Sequence, residues 1–240
     1  MPKLSKRQQK LAELKEKYRQ PITAEEAFKV LKDELSVKFD PTVEVHFRLG
    51  INPKLSDQQI RSTVNLPGGT GKTVRVAVVA KGEKIAEAQE AGADVVGAED
   101  LVARIGEGFL EFDKLVATPD AMAMLSKMGK LLGPKGLMPN PKDGTVTFDV
   151  GKTIKELKAG KVSFRAEKDG GLVQMAIGKL SFDESRLLKN LAAVVETIQK
   201  VKPASVKGTY IKSVYLSSTM GPSLKLDPNS LQGLAKYLAA

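Results

Sequence analysis

Between residues 43 and 49, Val43, Val45, Phe47 and Leu49 alternate with Glu44, His46 and Arg48. A period of two predicts a strand with one buried face and one wet, charged face. Upstream, Leu4, Leu11 and Leu14 fall at helical spacing around the basic segment 5–19, and Pro21 stops the helix they predict. Thr23 and Glu26 form a capping box that opens a second helix carrying Ala27, Phe28, Val30, Leu31 and Leu35. A short strand over 61–66 follows the turn-rich stretch 52–57.

The pattern changes at residue 74. The run 74–80 is almost continuously apolar, as in a parallel strand covered on both faces. Helices over 83–91, 99–105 and 120–132 then alternate with strands over 94–96 and 114–117. A strand at 145–148 and a helix around 153–158 close the series. Such alternation predicts a small parallel sheet with helices on its faces. After residue 160 the antiparallel style returns, with strands over 161–168 and 172–179 flanking the hairpin turn signal Asp169-Gly170-Gly171. A long helix carries Leu187, Leu188, Leu191, Val194, Val195 and Ile198 on its apolar face. A last strand over 210–219 leads into Gly221-Pro222. The chain therefore reads as a split α+β domain, residues 1–67 and 161–240, interrupted by an α/β domain at 68–160. The crossings carry Gly68, Gly69 and Gly71 on one side and Gly160 on the other, which serve either as a hinge or as rigid turns.

Charge follows the same division. The 240 residues carry a net charge of +10. Segment 1–67 holds 13 basic and 9 acidic residues, segment 68–160 holds 13 of each, and segment 161–240 holds 12 and 6. A polyanion-binding face is thus expected from the two chain ends together, with excess lysine that merely solvates the surface as the alternative. There is no cysteine and only one histidine, so disulfides, Cys-based zinc or redox sites and multi-His metal sites are excluded. No apolar stretch approaches the roughly 18 residues of a membrane span, and no apolar run follows the basic N-terminus. A cytoplasmic protein without membrane or cofactor is expected.

Catalytic motifs fail one by one. Gly71-Lys72-Thr73 ends like a P-loop, but Leu66 stands where the first glycine belongs, and a strand follows where a helix must begin. Gly106-Glu107-Gly108 is only a fragment of a dinucleotide fingerprint. Met122, Met124 and Met128 read as helix core. Asp94, Glu99 and Asp100 could be imagined as an acid/base cluster, but the last two open a helix, where they complement its dipole. Lys207-Gly208-Thr209-Tyr210 lacks the aromatic that an RNA-recognition motif requires. His46 fits a solvated cross-strand polar ladder, with RNA contact as the lesser alternative.

Two segments point to a ligand. Residues 133–144 pack three glycines and three prolines around Lys135, Gly136, Asn140 and Lys142. Such a loop either presents backbone N–H groups and charge to a phosphate or only packs the insert against its neighbour. Residues Ser217, Ser218, Thr219, Met220, Gly221, Pro222 and Ser223 put four hydroxyls and a glycine at a strand end within the most basic third of the chain. They suit contacts to ribose and phosphate oxygens, against the alternative of an ordinary strand-to-turn exit.

These residues also carry a resemblance. Phe39, Thr42-Val43-Glu44-Val45-His46, Leu49-Gly50-Ile51, Ala117-Thr118-Pro119-Asp120, Gly133-Pro134-Lys135-Gly136-Leu137-Met138-Pro139-Asn140-Pro141-Lys142 and Thr219-Met220-Gly221-Pro222-Ser223 span nearly the whole chain. With them the sequence resembles the family of large ribosomal subunit protein number one, proteins of the mobile rRNA stalk beside the tRNA exit site. The resemblance implies a split RNA-binding domain with an inserted Rossmann-like three-layer α/β domain. It implies direct binding to large-subunit rRNA, assistance in releasing deacylated tRNA from the exit site, and repression of the protein's own operon mRNA. By position it implies RNA contacts at Lys38, Phe39, Thr42, Arg165, Lys168, Thr219, Met220 and Gly221. The tail after Leu226 runs longer than the family pattern. The rival readings are a nucleotide-dependent enzyme using the inserted domain and a DNA-binding regulator. The missing P-loop glycine and neutral insert oppose the first, and no helix-turn-helix or basic zipper supports the second.

Overall fold

The computed structural model describes residues 5–34 and 37–239; Leu4 and Leu35 lie outside the described residues. The chain opens with helices α1 (Lys6–Lys17) and α2 (Ala24–Glu34), then strands β1 (Thr42–Leu49), β2 (Arg61–Asn65) and β3 (Val76–Val79). Next come α3 (Glu83–Glu90), β4 (Val95–Gly97), α4 (Glu99–Gly106), β5 (Lys114–Ala117), the short α5 (Met122–Leu125) and α6 (Gly129–Leu132), and α7 (Val150–Ala159). The chain ends with β6 (Lys161–Arg165), β7 (Leu172–Lys179), α8 (Glu184–Lys200), β8 (Ile211–Ser218), β9 (Ser223–Leu226), α9 (Pro228–Gln232) and α10 (Lys236–Ala239). Two compact units result, Met1–Gly71 with Phe164–Ala240, and Lys72–Ser163.

In the first unit a four-stranded antiparallel sheet runs in the order β7-β1-β8-β9. The alternation read in the sequence sets its faces. Val43, Val45, Phe47 and Leu49 are fully or almost fully buried, together with Val214 and Leu216 of β8 and Leu224 and Leu226 of β9. Helices α2 and α8 pack on the unit's strands, contributing the buried Phe28, Leu31, Leu187, Leu191, Val194 and Ile198. The tail beyond Leu226 belongs to this unit. Leu231 and Leu234 are buried, the Tyr237 hydroxyl donates to Glu25, and Lys236 Nζ lies 3.5 Å from the same carboxylate. The Tyr237 bond, and then the Lys236 charge, hold the Glu25 carboxyl below its ordinary range.

The second unit has a parallel sheet of order β4-β3-β5. All four residues of β3 are buried, as a strand covered on both faces requires. One face meets Leu101, Ile105 and Leu125; the other meets Ala88, Val150, Ile154 and Leu157.

Four sequence expectations need correction. Residues 120–132 do not form one helix: α5 and α6 are four-residue pieces joined by one 3-10 turn, Ser126–Met128, and preceded by another, Pro119–Ala121. There the Ser126 hydroxyl bonds back to the Ala123 carbonyl, and Gly129, a weak helix former, opens α6. Residues 145–148 make only an isolated bridge, Ala117 to Val146. The turn at 169–171 is present, closed by the Glu167 N–H to Leu172 carbonyl bond, yet β6 and β7 are not a hairpin pair. Instead, β6 joins β2 in a two-stranded sheet while β7 joins β1. The strand over 210–219 is not the last: β9 follows Gly221-Pro222, and its alternating Leu224 and Leu226 are buried.

At the end of β1 the backbone passes unusually close to the segment before β8. The Gly50 N–H donates to the Tyr210 carbonyl at 2.6 Å, and a Cβ on Gly50 would meet the Thr209 carbonyl oxygen at 2.4 Å. Gly50→Ala therefore has to push two backbones apart. A loss of about 1–3 kcal/mol is expected, read as a lower urea midpoint at unchanged m-value.

Candidate nucleic-acid interface

Residues paired directly across an antiparallel ladder point to the same side. The face opposite the core therefore gathers Glu44 beside Ser217, His46 beside Tyr215 and Gln174, Arg48 beside Ser213, and Tyr215 beside Lys225. His46 Nε2 lies 2.9 Å from the Ser217 hydroxyl and 3.9 Å from the Glu44 carboxylate, so the expected polar ladder forms. Tyr215 places an aromatic ring, 37% exposed, in the middle of this face. Hydroxyls, an imidazole and an open ring on a basic unit offer hydrogen bonding and stacking to unpaired bases. Sequence reasoning missed Tyr215 and Lys225, although Tyr215 occupies an outward position in the alternation of 210–219.

One end of the sheet collects most of the expected site. Thr219 N–H donates to the Thr42 carbonyl at 2.9 Å, and Thr42 N–H donates to the Thr219 hydroxyl at 3.2 Å. Lys179 Nζ reaches the Thr42 hydroxyl at 3.0 Å and the Asp40 carbonyl at 3.3 Å. The Asp40 carboxylate accepts both the N–H and the hydroxyl of Ser181. These bonds anchor the turn that carries Lys38 and Phe39, both exposed, beside the 219–221 turn. Phe39 is 51% exposed and Met220 60%, the two most open large apolar side chains among the described residues of the first unit. Met220, not Gly221, takes the left-handed conformation, with φ 67°, an arrangement that costs a non-glycine residue about 1–2 kcal/mol. The Gly221 N–H closes the turn on the Ser218 carbonyl at 2.7 Å. Ser218 and Pro222 are buried, so the outward-facing set is Ser217, Thr219, Met220, Gly221 and Ser223.

Arg165 and Lys168 lie elsewhere. Register pairs Thr42 with Lys179 but Arg48 with Leu172, so the 166–171 turn sits at the opposite end of the sheet. Six residues of β1 at about 3.3 Å each separate the two ends by roughly 20 Å. There Lys168 lines one cleft with Arg48, Lys54 and Lys212, and a second with Arg61 and Arg165. All six cations are exposed, and of these only Arg165 and Lys168 were expected.

The 133–144 loop is pre-ordered from within. Asn140 Oδ1 accepts the Lys142 N–H at 2.8 Å, and Asn140 N–H donates to the Thr145 hydroxyl at 2.8 Å. Gly136 and Gly144 are left-handed, Leu137 and Met138 pack on the core of the second unit, and Lys135 and Lys142 are exposed. Gly160 caps α7, its N–H shared between the Glu156 and Leu157 carbonyls.

Gly68, Gly69 and Gly71 do not form a phosphate cradle. Asn190, fully buried, accepts the Gly68 N–H at 2.7 Å and donates to the Gly69 and Ile177 carbonyls at 3.0 and 2.7 Å. Arg186 Nε donates to the Gly68 carbonyl at 2.6 Å while its guanidinium stacks 3.8 Å over Phe182. A Cβ at Gly68 would strike Arg186 at 2.5 Å, so glycine is required for close packing. The acidic trio is likewise structural. The Asp94 carboxyl accepts the Val76 N–H and pairs with Lys158, and Asp100 accepts the Ala98 N–H. Those backbone bonds, first among the causes, hold both carboxyls below their ordinary range.

Fold and surface together define a two-unit protein that presents an exposed polar and basic face. A family model described as the Ribosomal protein L1p/L10e family matches residues 30–222. The chain is 52% identical over 235 residues to large ribosomal subunit protein uL1 of Prochlorococcus marinus strain MIT 9313, covering 98% of each chain. It is equally similar to the uL1 protein of Gloeobacter violaceus over the same span. It is 52% identical over 214 residues to that of Thermobifida fusca, covering 89% of this chain and 91% of the relative. The chain belongs to the ribosomal protein L1p/L10e family, a family of ribosomal proteins and not of enzymes. Among the described residues no helix is long and apolar enough to cross a membrane.

Proposed function

We propose that the first unit binds large-subunit rRNA directly, with the open sheet face and both of its ends as the contact surface. The observation that carries this reading is the location of charge. The first unit holds 24 basic and 15 acidic residues, a net +9, against 14 and 13 in the second, a net +1. Exposed Lys38, Phe39, Thr219 and Met220, with the half-buried Gly221, supply shape and hydrogen bonding at one end, and Arg165 and Lys168 supply phosphate contacts about 20 Å away. Lys72–Ser163, with its three parallel strands, is read as a Rossmann-like insertion, and its exposed Lys135 and Lys142 as a secondary RNA contact. By the same reading the protein assists release of deacylated tRNA from the exit site. It also represses its own operon mRNA, because one RNA-shape-reading surface serves any RNA that presents that shape.

Chemical footprinting of total rRNA with the full chain tests the proposal. One protected helix-and-loop region in large-subunit rRNA is expected, persisting at physiological salt. Protection that is absent, or diffuse and abolished by moderate salt, would mean only non-specific attraction and would overturn it.

A further inference from the structure

We infer that Arg7, on a helix at the far end of the chain from residues 217–223, is a positioning residue that holds Met220 in its RNA-binding conformation. The inference rests on the reading of Thr219, Met220 and Gly221 as RNA contacts. Met220 is the single non-glycine residue with positive φ among the described residues. A left-handed methionine is sterically disfavoured and persists only where its surroundings determine it. One neighbour is the 2.7 Å bond to Ser218 that closes the turn through Gly221. The other is Arg7, whose Nη2 donates to the Met220 carbonyl at 2.7 Å across 213 residues of sequence.

Arg7 is itself held in place. Helix α1 begins at a complete capping box, with the Ser5 hydroxyl accepting the Gln8 N–H and the Gln8 side chain accepting the Ser5 N–H at 2.9 Å. Leu14 is buried, and Lys10 lies 3.3 Å from Glu34 of α2. The helix thus reaches the turn as a fixed arm. With the carbonyl of Met220 tethered, its peptide plane is set, and the thioether side chain stays directed outward. Without the tether, Met220 relaxes toward negative φ, and both its side chain and the Gly221 backbone turn away from the RNA.

The test uses the full chain, the rRNA fragment recovered from the protected region and a random RNA of equal length. Arg7→Ala is expected to weaken binding to the fragment about tenfold, the scale of one lost charged hydrogen bond. The slope of log affinity against log salt should not change, because Arg7 is spent on a carbonyl and not on a phosphate. The cost should shrink to about twofold or less when Arg7→Ala is added to Met220→Asn, since asparagine tolerates the left-handed region without a tether. Circular dichroism melts establish that each variant is folded. A slope flattened by about 0.7–0.9 would make Arg7 a phosphate contact and overturn the inference. Undiminished affinity for Arg7→Ala, or an undiminished cost in the Met220→Asn background, would overturn it equally. If Thr219→Val and Phe39→Ala also bind the fragment like wild type, the failure lies in the underlying reading of the site.

Discussion

Asn190→Asp is expected to destabilise the protein by about 3–5 kcal/mol at pH 7. The wild-type amide matches its buried site atom for atom, with Oδ1 on the Gly68 N–H and Nδ2 shared by the Gly69 and Ile177 carbonyls. A carboxylate keeps the first bond and turns the other two into contacts between oxygens, inside a site with no solvent exposure. Burial and two facing carbonyls both raise the pKa of the introduced carboxyl above its unfolded value of about 3.9. The folded state then binds more protons than the unfolded state between the two pKa values. Stability accordingly falls as pH rises through that window. The deficit relative to wild type should be smaller at pH 4 than at pH 7, because the protonated carboxyl can donate to one carbonyl. Asn190→Leu, by contrast, leaves three backbone groups unpaired, and its cost should be independent of pH. Urea unfolding at the two pH values decides. A pH-independent deficit below 1 kcal/mol for the Asp variant would show that Asn190 is not the lock the geometry makes it.

Thr219→Val and Lys168→Ala should separate shape recognition from charge. The Thr219 hydroxyl sits between the Thr42 N–H and carbonyl at 3.2 and 3.3 Å, bracing the end of the sheet while remaining exposed. Replacing it with valine should cost about 1–3 kcal/mol of affinity for the protected rRNA fragment with no change in salt slope. Lys168 lies roughly 20 Å away in a cleft that it lines with Arg48, Lys54, Lys212 and a single carboxylate, Asp169. Lys168→Ala should weaken fragment and random RNA alike and flatten the slope by about 0.7–0.9. A melt of each variant guards against mistaking lost folding for lost contact. The assignment is reversed if Thr219→Val binds normally while Lys168→Ala abolishes discrimination between the two RNAs.

The periodic elements were legible because their burial is one-sided. The alternation in β1 and the apolar stripe of α8 each state which face is covered, and both faces are covered as stated. Strand β9 was hidden because four residues after Gly221-Pro222 carry too few alternations to outweigh a turn signal. The break within 120–132 was hidden because Met122, Leu125 and Leu132 keep helical spacing whether the turns are α or 3-10. The outward residues of the candidate site could be read one at a time. Their division between two ends of one sheet could not, because it depends on pairing register, which joins Thr42 to Lys179 and Arg48 to Leu172. Asn190 did leave a trace, as a polar residue on the flank of an apolar helical face. Contacts such as Arg7 to Met220, across 213 positions, leave none.

The sheet's inner strand β1 is flanked by β7 and β8, and neither exists until long after β1 has been synthesised. At about 5–20 residues per second, the interval of roughly 120 residues between Leu49 and Leu172 lasts some 6–25 seconds on the translating ribosome. During that time the apolar row Val43, Val45, Phe47 and Leu49 has no ladder partner, while Lys72–Ser163 is synthesised in full before β7 emerges. The proposed RNA-contacting end, which needs Thr42 and Thr219 together, closes only with the last tenth of the chain. A polypeptide that stops short of Thr219 therefore lacks that end of the proposed surface.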